Sequence, residues 1–156
     1  MPLIRAAEPS DAHQISALVC ALAGSMLVDP ESEEARNFYA VMQPPNVARN
    51  MEKQDRFYLV AEIEGETVGM ILILNNSYIG QFFVHAGYQR KGIGASLWKA
   101  ALSRACHSGS DGSFTVKSSI AAEPVYRRFG FEPTGAVAID SGFRYVPMSR
   151  GTLSAA

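Results

Sequence analysis

The sequence predicts a mixed α/β (α+β) fold built on one mostly antiparallel sheet. Three observations lead there. Apolar segments of strand length come in pairs joined by short polar turns, and amphipathic helical stretches are interspersed among them. One strand, Tyr78 to Val84, runs through a glycine-bearing turn directly into a long helical stretch. Six to seven strands and about four helices account for the 156 residues, and no repeat, linker or low-complexity run divides them. Residues 1–156 therefore read as a single domain, long enough to bury a core without staples.

Leu3-Ile4-Arg5-Ala6 reads as a short opening strand. Asp11 is placed to cap the next helix, with Gln14 in a capping-box position three residues on. Ile15, Leu18, Val19 and Leu22 form that helix's apolar face, and Gly24 closes it. Pro30 to about Met42 suggests a second helix, whose acidic first turn (Glu31, Glu33, Glu34) suits the helix dipole. Pro44-Pro45 is expected to end it, with a further helical stretch over Val47 to Lys53.

Phe57 to Ile63 and Thr67 to Leu74 form a hairpin around Glu64-Gly65-Glu66, and Asn75-Asn76-Ser77 turns into the strand Tyr78 to Val84. The helix from Gly92 to His107 buries Leu97, Ala101, Leu102 and Ala105 and shows Ser96, Lys99 and Ser103. After the loop Gly109 to Gly112 come a strand, Phe114 to Lys117, and a short helix around Tyr126. Thr134 to Ile139 and Phe143 to Met148 make a last hairpin around Asp140-Ser141-Gly142.

An apolar fraction of 47% with 19% charged residues describes a soluble globular chain. No stretch approaches the roughly 18 uninterrupted apolar residues of a membrane span, and Met1-Pro2-Leu3-Ile4-Arg5 lacks a signal-peptide core. The expectations are a cytoplasmic protein and no membrane partner. Cys20 and Cys106 sit at helical positions among apolar neighbours and are expected as reduced thiols. No Cys/His cluster has metal-ligand spacing, so no metal is expected.

Charge is uneven along the chain. Residues 1–80 carry five Lys/Arg against eleven Asp/Glu, and residues 81–156 nine against four, for −1 overall. A protein joining a polyanionic ligand to a cationic one would show such halves, as would chance segregation of surface charge. An acidic first half without an aromatic-basic stripe argues against nucleic acid.

The richest segment is Val84 to Leu97, Val-His-Ala-Gly-Tyr-Gln-Arg-Lys-Gly-Ile-Gly-Ala-Ser-Leu. A strand end, closely spaced glycines, a helix N-terminus and the cations Arg90 and Lys91 converge there, as a phosphate or pyrophosphate cradle requires. A P-loop is excluded: Gly87 and Gly92 have its spacing, but Ile93 and Gly94 stand where lysine and hydroxyl belong. A dinucleotide fingerprint is excluded too, because Leu97 replaces the third glycine and antiparallel strands precede the motif.

Gln89-Arg90-Lys91-Gly92-Ile93-Gly94 follows a Gln/Arg-x-x-Gly-x-Gly/Ala pattern, and Ala122-Glu123-Pro124-Val125-Tyr126-Arg127-Arg128-Phe129-Gly130-Phe131 follows Ala-x-x-x-Tyr-x-x-x-Gly-Phe. In this order and at this separation the two blocks resemble the acyl-CoA loop and the late helix of the GCN5-related N-acetyltransferase (GNAT) superfamily. The resemblance spans roughly Thr67 to Phe131; the first third matches only in layout.

That resemblance implies a GNAT-like fold, acetyl-CoA as cosubstrate without a metal, and transfer of its acetyl group to a primary amine of a small molecule or protein. Homodimerisation is a further implication. Phe82, Phe83 and Val84 would offer backbone groups to the pantetheine arm, one N–H near Val84 polarising the thioester carbonyl. Gln89, Arg90, Lys91, Gly92, Ile93, Gly94 and Ala95 would wrap the pyrophosphate. Tyr126 would hydrogen-bond the departing thiolate. A phenol pKa of about 10 lies above a thiol's of about 8.5, so full proton transfer is uphill by roughly 2 kcal/mol.

The general base stays open. Many relatives carry an acid on the central strand, where this chain has Gln81. His85 is a candidate base, while Glu123 and Asp140 have no better support. Where relatives often have Asn before the late helix, this chain has Lys117-Ser118-Ser119; either serine, with Ser119 as the candidate ligand, contacts the cofactor or caps the helix. The resemblance assigns acceptor choice to Ser25–Arg56 and the final hairpin; Asp29, Glu31, Phe38 and Tyr39 in the former suit a cationic or amphipathic amine, and equally a solvated helix face. Two function classes stand: an acetyl-CoA-dependent N-acetyltransferase, or a non-catalytic acyl-CoA-binding regulatory module.

Overall fold

Strands β1 (Leu3–Ala6), β2 (Arg56–Ile63), β3 (Glu66–Leu74) and β4 (Tyr78–Val84) pair antiparallel in that order in a computed structural model that describes residues 1–151. β5 (Phe114–Ser118) lies parallel to β4, and β8 (Phe143–Arg150) antiparallel to β5. β6 (Glu132–Pro133) and β7 (Ala138–Asp140) pair with β8, completing an eight-stranded arrangement. A parallel pair needs a crossover, and helix α4 (Ile93–His107) supplies it between β4 and β5. The one strand beyond the six to seven expected is β6. Pro133, which has no N–H to donate, sits in that two-residue edge strand; of the expected run Thr134 to Ile139, only Ala138 and Ile139 lie in a ladder, that of β7.

β3 alternates between two apolar layers. Ile71 and Ile73 pack with Ile93, Leu97 and Trp98 of α4, whereas Met70 and Leu72 pack with Ile15 and Val19 of α1 (Ala12–Ala23) and Val47 of α3 (Pro44–Met51). Both faces being covered, Val68 to Ile73 is an unbroken buried run. α2 (Glu33–Val41) lies on the α1 side and buries Ala35; Ser32 caps it, its hydroxyl accepting from the N–H of Ala35 at 3.1 Å. α5 (Glu123–Arg128) lies on the α4 side and buries Tyr126.

Three local expectations are corrected. Asp11 does not cap α1 with its side chain: its carboxylate accepts from the Glu8 N–H at 2.7 Å and from Arg5 at 2.8 and 2.9 Å. Gln14 instead accepts from the Thr67 N–H at 2.7 Å, tying α1 to β3. Pro44 and Pro45 do not merely stop α2; they open α3, where a missing N–H costs no helical bond. Cys20 and Cys106 are half-buried and unpaired.

Candidate active site

The parallel pair β4–β5 is brief. Tyr78 faces Thr115 and Ile79 faces Val116, and no further residues of the two strands pair. The register between β3 and β4 slips at the same level: Leu72 pairs with Gln81 and Ile73 with Ile79, which leaves Gly80 as the extra residue of a bulge. A side chain at Gly80 would crowd Leu72 and Leu74 at 3.1 and 3.2 Å. Beyond the bulge β4 stays paired with β3 but parts from β5, and the edge of Gly80 to Val84 that faces β5 has no ladder partner. The slip also resets which side chains share a face. Phe82 and Val84 join the layer under α4, while Phe83 joins the α1 layer and Gln81 reaches Met42 Sδ with its Nε2 at 3.4 Å. A glycine inside an apolar strand was the available signal for this bulge.

The glycine turn lies at the end of this open strand. Gln89 donates from Nε2 to the Val84 carbonyl at 2.9 Å. Arg90 and Gly92 both adopt positive φ, 63° and 81°, and Gly92 is the N-cap of α4. Gly94, in the first turn of that helix, rests over Phe82 and Val84. Among the described residues, none accepts a hydrogen bond from the N–H groups of residues 89–95. Arg90 and Lys91 are exposed, and Lys91 lies over the Tyr88 ring at 5.6 Å. Free N–H groups at a helix N-terminus with two cations alongside fit a pyrophosphate.

Tyr126 is brought to the gap between β4 and β5 by α5. Its ring meets Phe82 at 6.1 Å and Phe131 at 5.5 Å, both edge-on. Its hydroxyl has no partner among the described residues. Burial, and secondarily the Tyr78 phenol, push the Tyr126 pKa well above the ordinary tyrosine value, so the group stays protonated. An aromatic stack supports it: Phe82 on Phe129 at 6.3 Å, and Phe129 on Trp98 at 5.9 Å. Trp98 escaped the sequence reading because its role depends on α4 meeting the segment that follows α5. Ser118 is buried and donates to the Ser119 carbonyl at 2.6 Å; the Ser119 hydroxyl accepts from the Ala122 N–H at 3.1 Å at the entry to α5. Ser119 thus closes the turn that leads into α5 rather than capping the helix, whose N-cap position is Ala122, and its own O–H is still free to donate.

The base candidates are engaged elsewhere. His85 caps the short turn Ala86–Tyr88, its Nδ1 accepting from the Gly87 N–H at 3.0 Å. That bond leaves the proton of the neutral ring on Nε2 and occupies the lone pair a base would use. Asp140 pairs with Lys117, which holds its carboxyl below the usual range, and Glu123 pairs with Arg127 one helical turn on at 2.9 Å.

The opposite face of the gap is roofed by the chain between α1 and α2. Leu27 bridges to Phe143, the Val28 N–H bonds the Gly142 carbonyl at 2.9 Å, and the Phe38 and Phe143 rings meet edge-on at 4.9 Å. Asp29 and Glu31 are exposed, and the Asp29 carboxylate accepts from the Glu31 N–H at 2.9 Å. An open polar recess of about 400 Å³ between Asp55, Asn75 and Arg104 lies at the C-terminal end of α4, roughly 20 Å of helix away from the glycine turn. Among the described residues, no three His, Cys, Asp or Glu side chains are grouped to hold a metal ion, and no helix is long and apolar enough to cross a membrane.

Comparison with known proteins follows the same lines. The fold is similar to that of the GCN5-related N-acetyltransferase of Rhodopseudomonas palustris, described as an aminotransferase, class-II (TM-score 0.78, 22% identity, 98% of this chain and 96% of that one). It is likewise similar to the PaiA N-acetyltransferase of Thermoplasma acidophilum, solved in complex with coenzyme A (TM-score 0.76, 16% identity, 96% and 98%). The uncharacterized N-acetyltransferase YafP of Escherichia coli (strain K12) is 34% identical over 73 residues, 47% of this chain, and the chain spans less than half of that relative's length, 44%. Residues 26–151 match the family described as the Acetyltransferase (GNAT) domain, and the chain belongs to that acetyltransferase family.

Proposed function

We propose that the protein transfers the acetyl group of acetyl-CoA to an amine by direct attack. One observation carries this reading. The opened edge of β4 runs from the bulge at Gly80 to the unpaired N–H groups of residues 89–95, with the free Tyr126 hydroxyl beside it. A pyrophosphate on the glycine turn and an extended arm along Phe82, Phe83 and Val84 use the backbone groups that the sheet leaves over. The PaiA enzyme, of similar fold, binds coenzyme A, which supports the same ligand here.

Acetyl-CoA supplies the activated thioester carbonyl. The backbone edge of β4 orients it, and an N–H near Val84 polarises the carbonyl oxygen. Gly92 and Gly94 let the turn approach the phosphates, and Arg90 and Lys91 add attraction that salt weakens. Tyr126 donates a hydrogen bond to the departing sulfur. Its raised pKa makes complete proton transfer to a thiolate uphill, so the proton that ends on sulfur comes from the acylated nitrogen.

Tyr126→Phe tests this: kcat is expected to fall about a hundredfold, while the acetyl-CoA Kd changes less than about twofold. Unchanged turnover removes Tyr126 from the mechanism. The engaged state of His85, Asp140 and Glu123 favours the second reading, a non-catalytic acyl-CoA-binding module. Tight acetyl-CoA binding with no thiol release across a broad amine screen would establish that reading instead.

A further inference from the structure

We infer that the acceptor is a weakly basic aromatic amine, bound uncharged with an N–H donated to the Gln81 side-chain oxygen. This rests on the acetyl-transfer reading and names its substrate class. Gln81 follows the bulge at Gly80 and projects to the face opposite Phe82, whose ring touches Tyr126. An amine held there approaches a thioester in the gap from the side away from the tyrosine. The Gln81 Nε2 is committed to Met42 Sδ, and its Oε1 takes no hydrogen bond from any described residue. An amide oxygen accepts from an amine N–H and cannot remove a proton.

The surroundings do not suit an ammonium ion. Met42, Phe38, Phe83 and Phe143 belong to one apolar cluster on this face, and the Phe38–Phe143 contact walls it. The surrounding elements bring several ionisable groups to this side, among them the Tyr39 phenol of α2, edge-on to Phe38 at 5.4 Å, and the buried Tyr58 of β2, whose pKa is raised by burial. Cys20 on α1 and Tyr78 on β4 have pKa values raised by burial and stay neutral. Lys117 on β5 and Asp140 on β7 neutralise each other, with the Lys117 ammonium over the Tyr145 ring of β8 at 5.0 Å. Glu34 on α2 is exposed, against Gly142 at the outer rim. An ammonium held against this apolar wall gives up hydration with no carboxylate at Gln81 to offset it, and is disfavoured there. An alkylamine with a lysine-like pKa is neutral in only about one molecule in 2,500 at pH 7. An aromatic amine, whose lone pair is delocalised into its ring, is almost wholly neutral at that pH, and the ring suits the Phe38–Phe143 wall.

The step balances without a base. The nitrogen lone pair forms the N–C bond, the C–S bond breaks with its pair on sulfur, and the proton shed by nitrogen ends on that sulfur.

The test measures thiol release by the full chain at pH 7 and saturating acetyl-CoA, with ring-substituted anilines and size-matched benzylamines, alongside a direct acetyl-CoA binding titration. Anilines are expected to exceed benzylamines in kcat/KM by at least about tenfold. Gln81→Glu, which places a carboxylate at the same point, is expected to shrink that ratio about tenfold with acetyl-CoA affinity retained. Gln81→Asn, a smaller change to the fold, is expected to lower the aniline rate. Benzylamines equal to or better than anilines in the wild type would overturn the inference and leave the transferase standing. A ratio unmoved by either substitution would remove Gln81 from recognition. Acetyl-CoA binding with no transfer to either class would overturn the inference, and thiol release across the broad amine screen then decides the transferase reading separately.

Discussion

Gln89 donates from Nε2 to the main-chain oxygen of Val84 across 2.9 Å, closing the glycine turn onto the last residue of the strand that feeds it. The contact uses a side chain where a backbone ladder has ended, and it sets the angle at which α4 departs. Gln89→Ala is expected to weaken acetyl-CoA about fivefold, from loss of roughly 1 kcal/mol of hydrogen bonding, with kcat nearly unchanged. Equilibrium titration of acetyl-CoA beside steady-state kinetics checks it.

Gly92 and Gly94 separate strain from access. Gly92 has φ 81°, so Gly92→Ala is expected to cost about 1–2 kcal/mol of stability and to weaken acetyl-CoA. Gly94 is helical, and an added Cβ meets Phe82 and Val84 at an unstrained 3.7 Å. Gly94→Ala should therefore stabilise the chain by about 0.5–1 kcal/mol, while its methyl, set against Phe82 and Val84, crowds the path proposed for the extended arm. Thermal melts of opposite sign with weakened binding in both variants is the expected pattern.

The Arg5–Asp11 pair ties the start of the chain to α1, with Glu62 of β2 as the second carboxylate on Arg5 at 3.2 Å. Hydrogen bonds from Arg5, then from the Glu8 N–H, hold the Asp11 carboxyl below its usual range. A depressed pKa contributes stability that is present above the unfolded value, about 3.9, and lost as pH falls through the folded value. Asp11→Asn is expected to lower stability at pH 7 by roughly 2 kcal/mol and to remove this group's share of the decline below about pH 4. Urea unfolding of both proteins between neutral and acid pH measures the difference.

Trp98 links the core to the reaction face, since its ring packs with Phe114 at 5.1 Å and with Phe129, which stacks on Phe82. Trp98→Ala is expected to cost about 3–5 kcal/mol and to lower kcat through loosened packing around Phe82 and Tyr126. Trp98→Phe should restore most of both, measured by unfolding and by kcat.

Alternating and helical apolar patterns marked β1 to β5, β8 and the long helix α4 within a residue or two, because side-chain periodicity and steric preference act within a short window. The glycine turn was legible for the same reason: two closely spaced glycines before an amphipathic run describe a local backbone shape. Polar partnerships were not. Asp11 and Gln14 carry a valid capping pattern, yet Arg5, Glu8 and Thr67 capture them. Asp140 pairs with Lys117 across 23 positions. A carboxylate or amide bonds the best donor within reach, and reach is set by the assembled sheet.

Local residue order therefore determines that a strand delivers a phosphate-cradling turn to a helix, and that Tyr126 follows on a later one. Only the tertiary structure decides what that turn serves. The slip at Gly80 and the early end of the β4–β5 ladder open the strand edge, and the Leu27–Phe143 bridge roofs its far side. Each depends on strands distant in the chain competing for the same backbone hydrogen bonds, a competition resolved only when the sheet forms.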